Sequence, residues 1–132
     1  PASLLEDKAD DKAIIALLED PAARILFLSD TGPAAWENLG PVRADLAVVG
    51  RHHSGILPDA GFFQKNGIRA VIASAAGFPD HEPIDENWAS VLREHGIELF
   101  RMDESGAVQI LAGPGGIEVE DFVDGRKYQP PR

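Results

Sequence analysis

Asp45-Leu46-Ala47-Val48-Val49-Gly50 runs straight into Arg51-His52-His53-Ser54-Gly55, and this junction decides the fold class. An unbroken apolar run suits a strand buried on both faces, as in a parallel sheet covered on each side. The order repeats on either side of it. Upstream, Arg24-Ile25-Leu26-Phe27-Leu28 is β-compatible and stops at Ser29-Asp30-Thr31-Gly32. Pro33 then suits the first turn of a short helix through Trp36 and Leu39, closed by Gly40. Downstream, Asp59 can cap a helix bearing Phe62 and Phe63, with Asn66-Gly67 as its stop. Residues 69–74 form another buried-strand run, and 75–83 a loop rich in breakers.

Asp85 caps the most regular helix, with Trp88, Val91, Leu92 and His95 at i, i+3, i+4 and i+7 and Gly96 as its end. Its stripe of Trp88, Val91 and Leu92 should pack on the sheet, leaving Glu86, Ser90, Arg93 and Glu94 in solvent. Two alternating strands over 97–101 and 107–111 follow, joined by a turn at Asp103-Glu104-Ser105-Gly106. Beyond Gly113 the sequence predicts a tail with one candidate edge strand, Ile117-Glu118-Val119, and a polar end over 125–132. The apolar run over 13–18 suits a buried strand or a short helix, because periodicity alone does not separate them. No repeat or internal linker interrupts residues 1–132, so the chain is one domain or one part of one. The fold class is α/β, a mixed sheet with covering helices.

Composition narrows the function. The 132 residues are 44 % hydrophobic and 26 % charged, a globular balance. No apolar run approaches the ~20 residues of a spanning helix, and the acidic start lacks the basic-then-apolar order of a signal peptide. The absence of cysteine excludes disulfides, thiolate catalysis and Cys-ligated zinc, and leaves the compartment open. Twelve Lys+Arg against 22 Asp+Glu give a net charge of -10. Such a chain repels phosphate polymers, so autonomous nucleic-acid binding is not expected.

Chemistry-bearing residues fall in the three polar clusters behind the strands, where open α/β sheets hold ligands. Adjacent loops could bring together Asp30, His52 or His53, and His81. A carboxylate with imidazoles suits zinc or manganese, and a water bound at such a site becomes nucleophilic near neutral pH. Each has a plainer use. Asp30 before Thr-Gly serves as a turn or cap residue, and His81, among Pro, Asp and Glu, as a solvated surface histidine. His52-His53 has little structural use in a strand-end loop, so function and structure stand level there. His95 in the last helical turn is structural. Gly113-Pro114-Gly115-Gly116 lacks the lysine and following helix of a phosphate loop, and neither Ser29 nor Ser54 sits in a nucleophile elbow.

The ordered set of clusters resembles a known family. Strand-Ser-Asp-Thr-Gly, Ala-Asp-Leu-Ala-Val-Val, His-His-Ser-Gly, Val-Ile-Ala-Ser, Gly-Ile-Glu-Leu-Phe-Arg and Asp-Glu-Ser-Gly-Ala-Val are similar, over residues 9 to 112, to one arrangement. It is the C-terminal half of the metallo-β-lactamase-fold domain of ComEC-type competence (DNA-internalisation) proteins. The resemblance implies that Asp30 is a metal ligand, that His52 and His53 lie at the catalytic site, and that His81 stands near the family's loop histidine. It implies a metal-dependent hydrolase acting on phosphodiesters of incoming DNA, within a bacterial membrane-associated DNA-uptake protein. It also implies one half of an αββα sandwich, with 13–18 as a strand and 113–132 as a tail.

The match departs in three places. The loop Phe-Pro-Asp-His-Glu-Pro is not the family's, Ser54-Gly55 inverts its Gly-Ser, and its His-x-His-x-Asp-His motif is missing. The start at Pro1 fits a fragment, which alone would be inactive, with zinc or manganese held only in the full-length parent. The implied partner is the N-terminal half of the same domain, whose absence would expose an apolar sheet face and invite a homo-oligomer. A second reading is a catalytically silent scaffold or interaction domain that keeps the fold without the metal. A response-regulator-like domain fits less well, because its acidic pair and lysine are missing.

Overall fold

The computed structural model describes residues 14–29, 31–50, 57–74 and 84–130, an α/β chain built on a mixed five-stranded sheet. β1 (Ala16–Asp20) and β2 (Ala23–Ser29) form an antiparallel hairpin. β3 (Leu46–Val49), β4 (Ala70–Ala73) and β5 (Glu98–Arg101) then add in parallel, so that strand order follows chain order. The crossovers carry α1 (Pro33–Glu37), α2 (Ala60–Lys65) and α3 (Glu86–Glu94). Each crossover steps one strand in the same direction, so crossovers of one hand put all three helices on one face. There Trp36, Phe62, Phe63, Ala89 and Leu92 pack on Leu26, Leu28, Ala47, Val49, Val71, Ala73 and Leu99.

The helix boundaries follow from local chemistry. Pro33 supplies the fixed φ of a first turn. Asp59 Oδ1 accepts the Phe62 N–H at 2.8 Å, and Asp85 Oδ1 accepts those of Asn87 and Trp88 at 2.8 and 3.3 Å. Gly67 (φ 72°) and Gly96 (φ 75°) end α2 and α3 in the left-handed region, which costs glycine little. No described helix is long and apolar enough to cross a membrane.

The opposite face carries a second, antiparallel sheet of order β6-β7-β8, formed by β6 (Val108–Gly113), β7 (Gly116–Asp121) and β8 (Lys127–Tyr128). Ile117 and Val119 point inward, flanked by half-buried Val108, Ile110 and Tyr128. They cover Ala23, Ile25, Leu46, Ala70, Ile72 and Phe100. The layers are therefore helices, five-stranded sheet and three-stranded sheet. Arg126 ties the last two together. Its guanidinium stacks 4.1 Å from the Phe100 ring centroid, donates to the Leu99 carbonyl at 2.8 Å and pairs with Glu98 at 3.0 Å.

Four expectations are corrected. The strand expected over 13–18 lies at Ala16–Asp20, where β2 offers pairing partners from Ala23 to Phe27. No simple turn joins the two strands at 103–106. That segment is the short helix α4 (Met102–Ser105), which carries the chain from one sheet to the next. Ile117-Glu118-Val119 is not an edge but the middle of the central strand of the second sheet, with Val119 fully buried. Finally, α3 is turned on its axis. Ala89 and Leu92 are wholly buried and Val91 is 40 % exposed, while Trp88 is half-buried with Nε1–H donating to the Pro58 carbonyl at 2.7 Å. Glu86, Ser90, Arg93 and Glu94 face solvent as expected.

This face sets the order of three substitutions in denaturant unfolding. Leu92→Ala should cost roughly 2–5 kcal/mol, since it opens a cavity under α3. Trp88→Ala should cost about 2 kcal/mol, because part of its ring is already wet and one carbonyl loses its donor. Val91→Ala should cost less than about 1 kcal/mol. Equal losses for Val91→Ala and Leu92→Ala would show the helix to be turned the other way.

Candidate functional site

Parallel strands in register bring their carboxyl ends to one edge, and loops there meet in space. Ser29 pairs with Val49 and Val49 with Ala73, while the Gly50 N–H donates to the Ser29 carbonyl at 2.8 Å and the Ser74 N–H to the Val49 carbonyl at 3.0 Å. Ser29, Val49 and Ala73 therefore end three neighbouring strands side by side. Asp30, His52, His53 and His81, the residues singled out from the sequence, lie outside the described residues. Among the described residues, no group of three or more His, Cys, Asp or Glu could hold a metal ion.

The described edge has one unusual feature at β2. The β2–β3 register shifts between Phe27 and Ser29, and Ser29 has φ 52°, the one non-glycine residue at positive φ among those described. A bulge at a strand end re-aims the next residues and costs backbone energy that the surroundings must hold in place. The hold is visible just beyond it. Thr31 is buried, and both its N–H and its hydroxyl donate to the Leu28 carbonyl, closing a tight turn.

At the end of β5 stands Arg101, opposite Ala73 in register, with its side chain only 7 % exposed. It lies on the helix-covered side with Leu99, where a charge survives only if paired. Nε and Nη2 grip Asp103 Oδ1 and Oδ2 at 3.1 and 2.9 Å, Nη1 donates to Glu86 Oε2 at 2.7 Å, and Glu104 stands 3.6 Å from Nε. The Asp103 hydrogen bonds hold the guanidinium above its ordinary pKa. They also keep the Asp103 carboxyl below the usual carboxylate range, against a smaller opposing effect of burial. The cluster ties the first turn of α3 to β5 and α4. Sequence reasoning passed over Arg101, although its place in the alternation of 97–101, with Asp103-Glu104 just beyond, was the available signal.

On the helix side, Pro33, Trp36, Leu57, Phe62 and Lys65 line an open cleft of about 550 Å³. Its Asp59 is occupied in capping α2. His95 closes α3 with Nδ1 2.8 Å from the Val91 carbonyl, which fits its expected structural role. No protein-family model, curated protein or solved structure matches the chain.

The Arg101–Asp103 pair makes stability depend on pH with a definite sign. A carboxyl whose folded pKa is lowered stabilises the fold above its unfolded value of about 3.9, and loses that contribution as pH falls through the folded value. Wild type should exceed Asp103→Asn in stability by about 1–3 kcal/mol at neutral pH. The gap should stay constant on acidification to about pH 5 and close below about pH 4. A gap that persists unchanged at pH 2 would place the loss in packing rather than in the ion pair.

Proposed function

We propose that the chain is the C-terminal part of a ComEC-type, competence-related metallo-β-lactamase-fold hydrolase domain, working on phosphodiesters in DNA uptake. The observation that carries this reading is the shared edge. β2, β3 and β4 end side by side at Ser29, Val49 and Ala73, and in sequence Asp30 follows the first at once, His52-His53 follow the second after Gly50-Arg51, and His81 lies in the segment that leads from the third to α3. The helix-covered five-stranded sheet is compatible with one half of an αββα sandwich, although the sheet face expected to lie bare for the N-terminal half is covered by β6 to β8.

In this reading Asp30 and His81 hold metal, and His52 and His53 bind metal or stabilise the leaving group. One carboxylate and three imidazoles make a donor set suited to zinc or manganese. Bound there, the metal supplies Lewis-acid activation of water and of a phosphoryl oxygen. The remaining ligands come from the N-terminal half of the same domain. A net charge of -10 leaves affinity for DNA to other parts of the parent.

The test uses the natural-length protein purified without chelator. It should carry about two equivalents of zinc or manganese by elemental analysis and cleave a generic phosphodiester, and Asp30→Ala should lose both. The 132-residue chain alone should show no hydrolysis. A natural-length protein without metal overturns the hydrolase in favour of the silent scaffold. Metal-dependent cleavage by the isolated chain, abolished by Asp30→Ala, would overturn the division of the site between two halves.

A further inference from the structure

The outer strands of the two sheets are protected unequally. Edge strands that stay unpaired usually carry a charge, a proline or a bulge, or are very short. β1 ends in Glu19 and Asp20. β5 carries Glu98 and Arg101 and is held by Arg126. β8 is two residues long and is soon followed by Pro130. β6 has none of these devices. Val108-Gln109-Ile110-Leu111-Ala112-Gly113 is uncharged, and its register with β7 is unbroken along its whole length. Its far side has no strand beside it among the described residues.

The ladder fixes which groups face that free side. The Phe122 N–H donates to the Ala107 carbonyl at 2.9 Å, one step beyond the Val108–Asp121 pair. Hydrogen-bonded and non-bonded pairs alternate along an antiparallel ladder, so Gln109 and Leu111 bond to β7. Val108, Ile110 and Ala112 therefore turn their N–H and C=O groups outward.

We propose that β6 pairs antiparallel with β6 of a second copy of this chain, about a two-fold axis at Ile110, joining two three-stranded sheets into one continuous sheet. The outward residues are spaced evenly about Ile110, so this register lets all of them bond. Ile110 meets the partner's Ile110, Val108 the partner's Ala112, and Ala112 the partner's Val108. Centred on Leu111, the pairing would set Val108 against the partner's Pro114, which has no N–H. Centred on Gln109, it would set Ala112 against the partner's Gly106, beyond the end of β6. Side chains match as well, because directly opposite residues share a face. Isoleucine meets isoleucine and valine meets alanine on the core side, and Gln109 meets the partner's Leu111 on the outer side. The nearest acids, Glu118 and Glu120 on β7, stand three strand spacings from those of the copy. That is about 14 Å, farther than the Debye length of ~10 Å at 0.1 M salt. Two copies each carrying -10 repel as wholes while the contact is uncharged, so added salt should tighten the association.

The chain has no cysteine, so introduced thiols report the register alone. Gln109 and Leu111 are both exposed. Facing each other between copies they form a non-bonded pair with Cα atoms about 4.5 Å apart, within reach of a disulfide. A mixture of Gln109→Cys and Leu111→Cys chains should therefore cross-link faster under mild oxidation than either variant alone, whose thiols lie on a diagonal of about 7–8 Å. Sedimentation of the intact chain should show a dimer that grows with concentration and tightens with salt. Ala112→Pro removes an outward N–H and leaves the bonds to β7 in place. It should raise the dimer Kd at least about tenfold, with an unchanged circular dichroism spectrum. A monomer at every concentration, a dimer that salt loosens or that Ala112→Pro keeps, or equal cross-linking of the mixture and the single variants would each overturn the proposal. None of these readouts needs metal or activity, so they stand or fall apart from the hydrolase reading.

Discussion

Burial of β3 and β4 on both faces is the constraint on which the other layers depend. Leu46, Ala47, Ala70 and Val71 have no accessible surface, and they alternate between the helix-covered and sheet-covered sides. A parallel strand of this kind needs a cover on each face, since every residue along it is apolar. One-handed crossovers cover only one face. The other must be covered by chain that comes after the last parallel strand, and β6 to β8 do this. Arg126 then fixes that second layer against β5 by charge, hydrogen bond and ring contact together.

The same architecture concentrates polar groups at the carboxyl edge. There the apolar runs end, and the caps of α2 and α3 orient Asp59 and Asp85 toward helix amides rather than toward a ligand. Arg101 occupies three carboxylates at that edge and is itself almost wholly buried. The described part of the edge is thus left acidic, one guanidinium against three carboxylates. Its strained point is Ser29, held by the Leu28–Thr31 turn, and strain at a strand end is a feature that a surrounding structure must maintain.

The βα alternation was legible in the sequence because apolar runs and cap residues are local signals. Asp59, Asp85, Gly67 and Gly96 mark their helix ends as read. Less was legible where long-range packing decides. Val91 and Ala89 are both compatible with a buried face of α3, and the rotation is held by contacts far off in sequence, the Trp88 indole on the Pro58 carbonyl and Glu86 on Arg101. β6 and β7 were legible as strands, β7 because Glu118 alternates with Ile117 and Val119 as in a strand with one wet face, but their pairing into a second sheet was not, since it depends on contacts that no local signal carries. Asn66 was legible as a stop, but not as the pin it also is. Its side chain accepts from the Val42 N–H and donates to the Phe62 carbonyl, holding the chain that leads into β3. For the candidate site, sequence supplied Asp30, His52, His53 and His81, and the structure supplies the common edge of the strands that precede them.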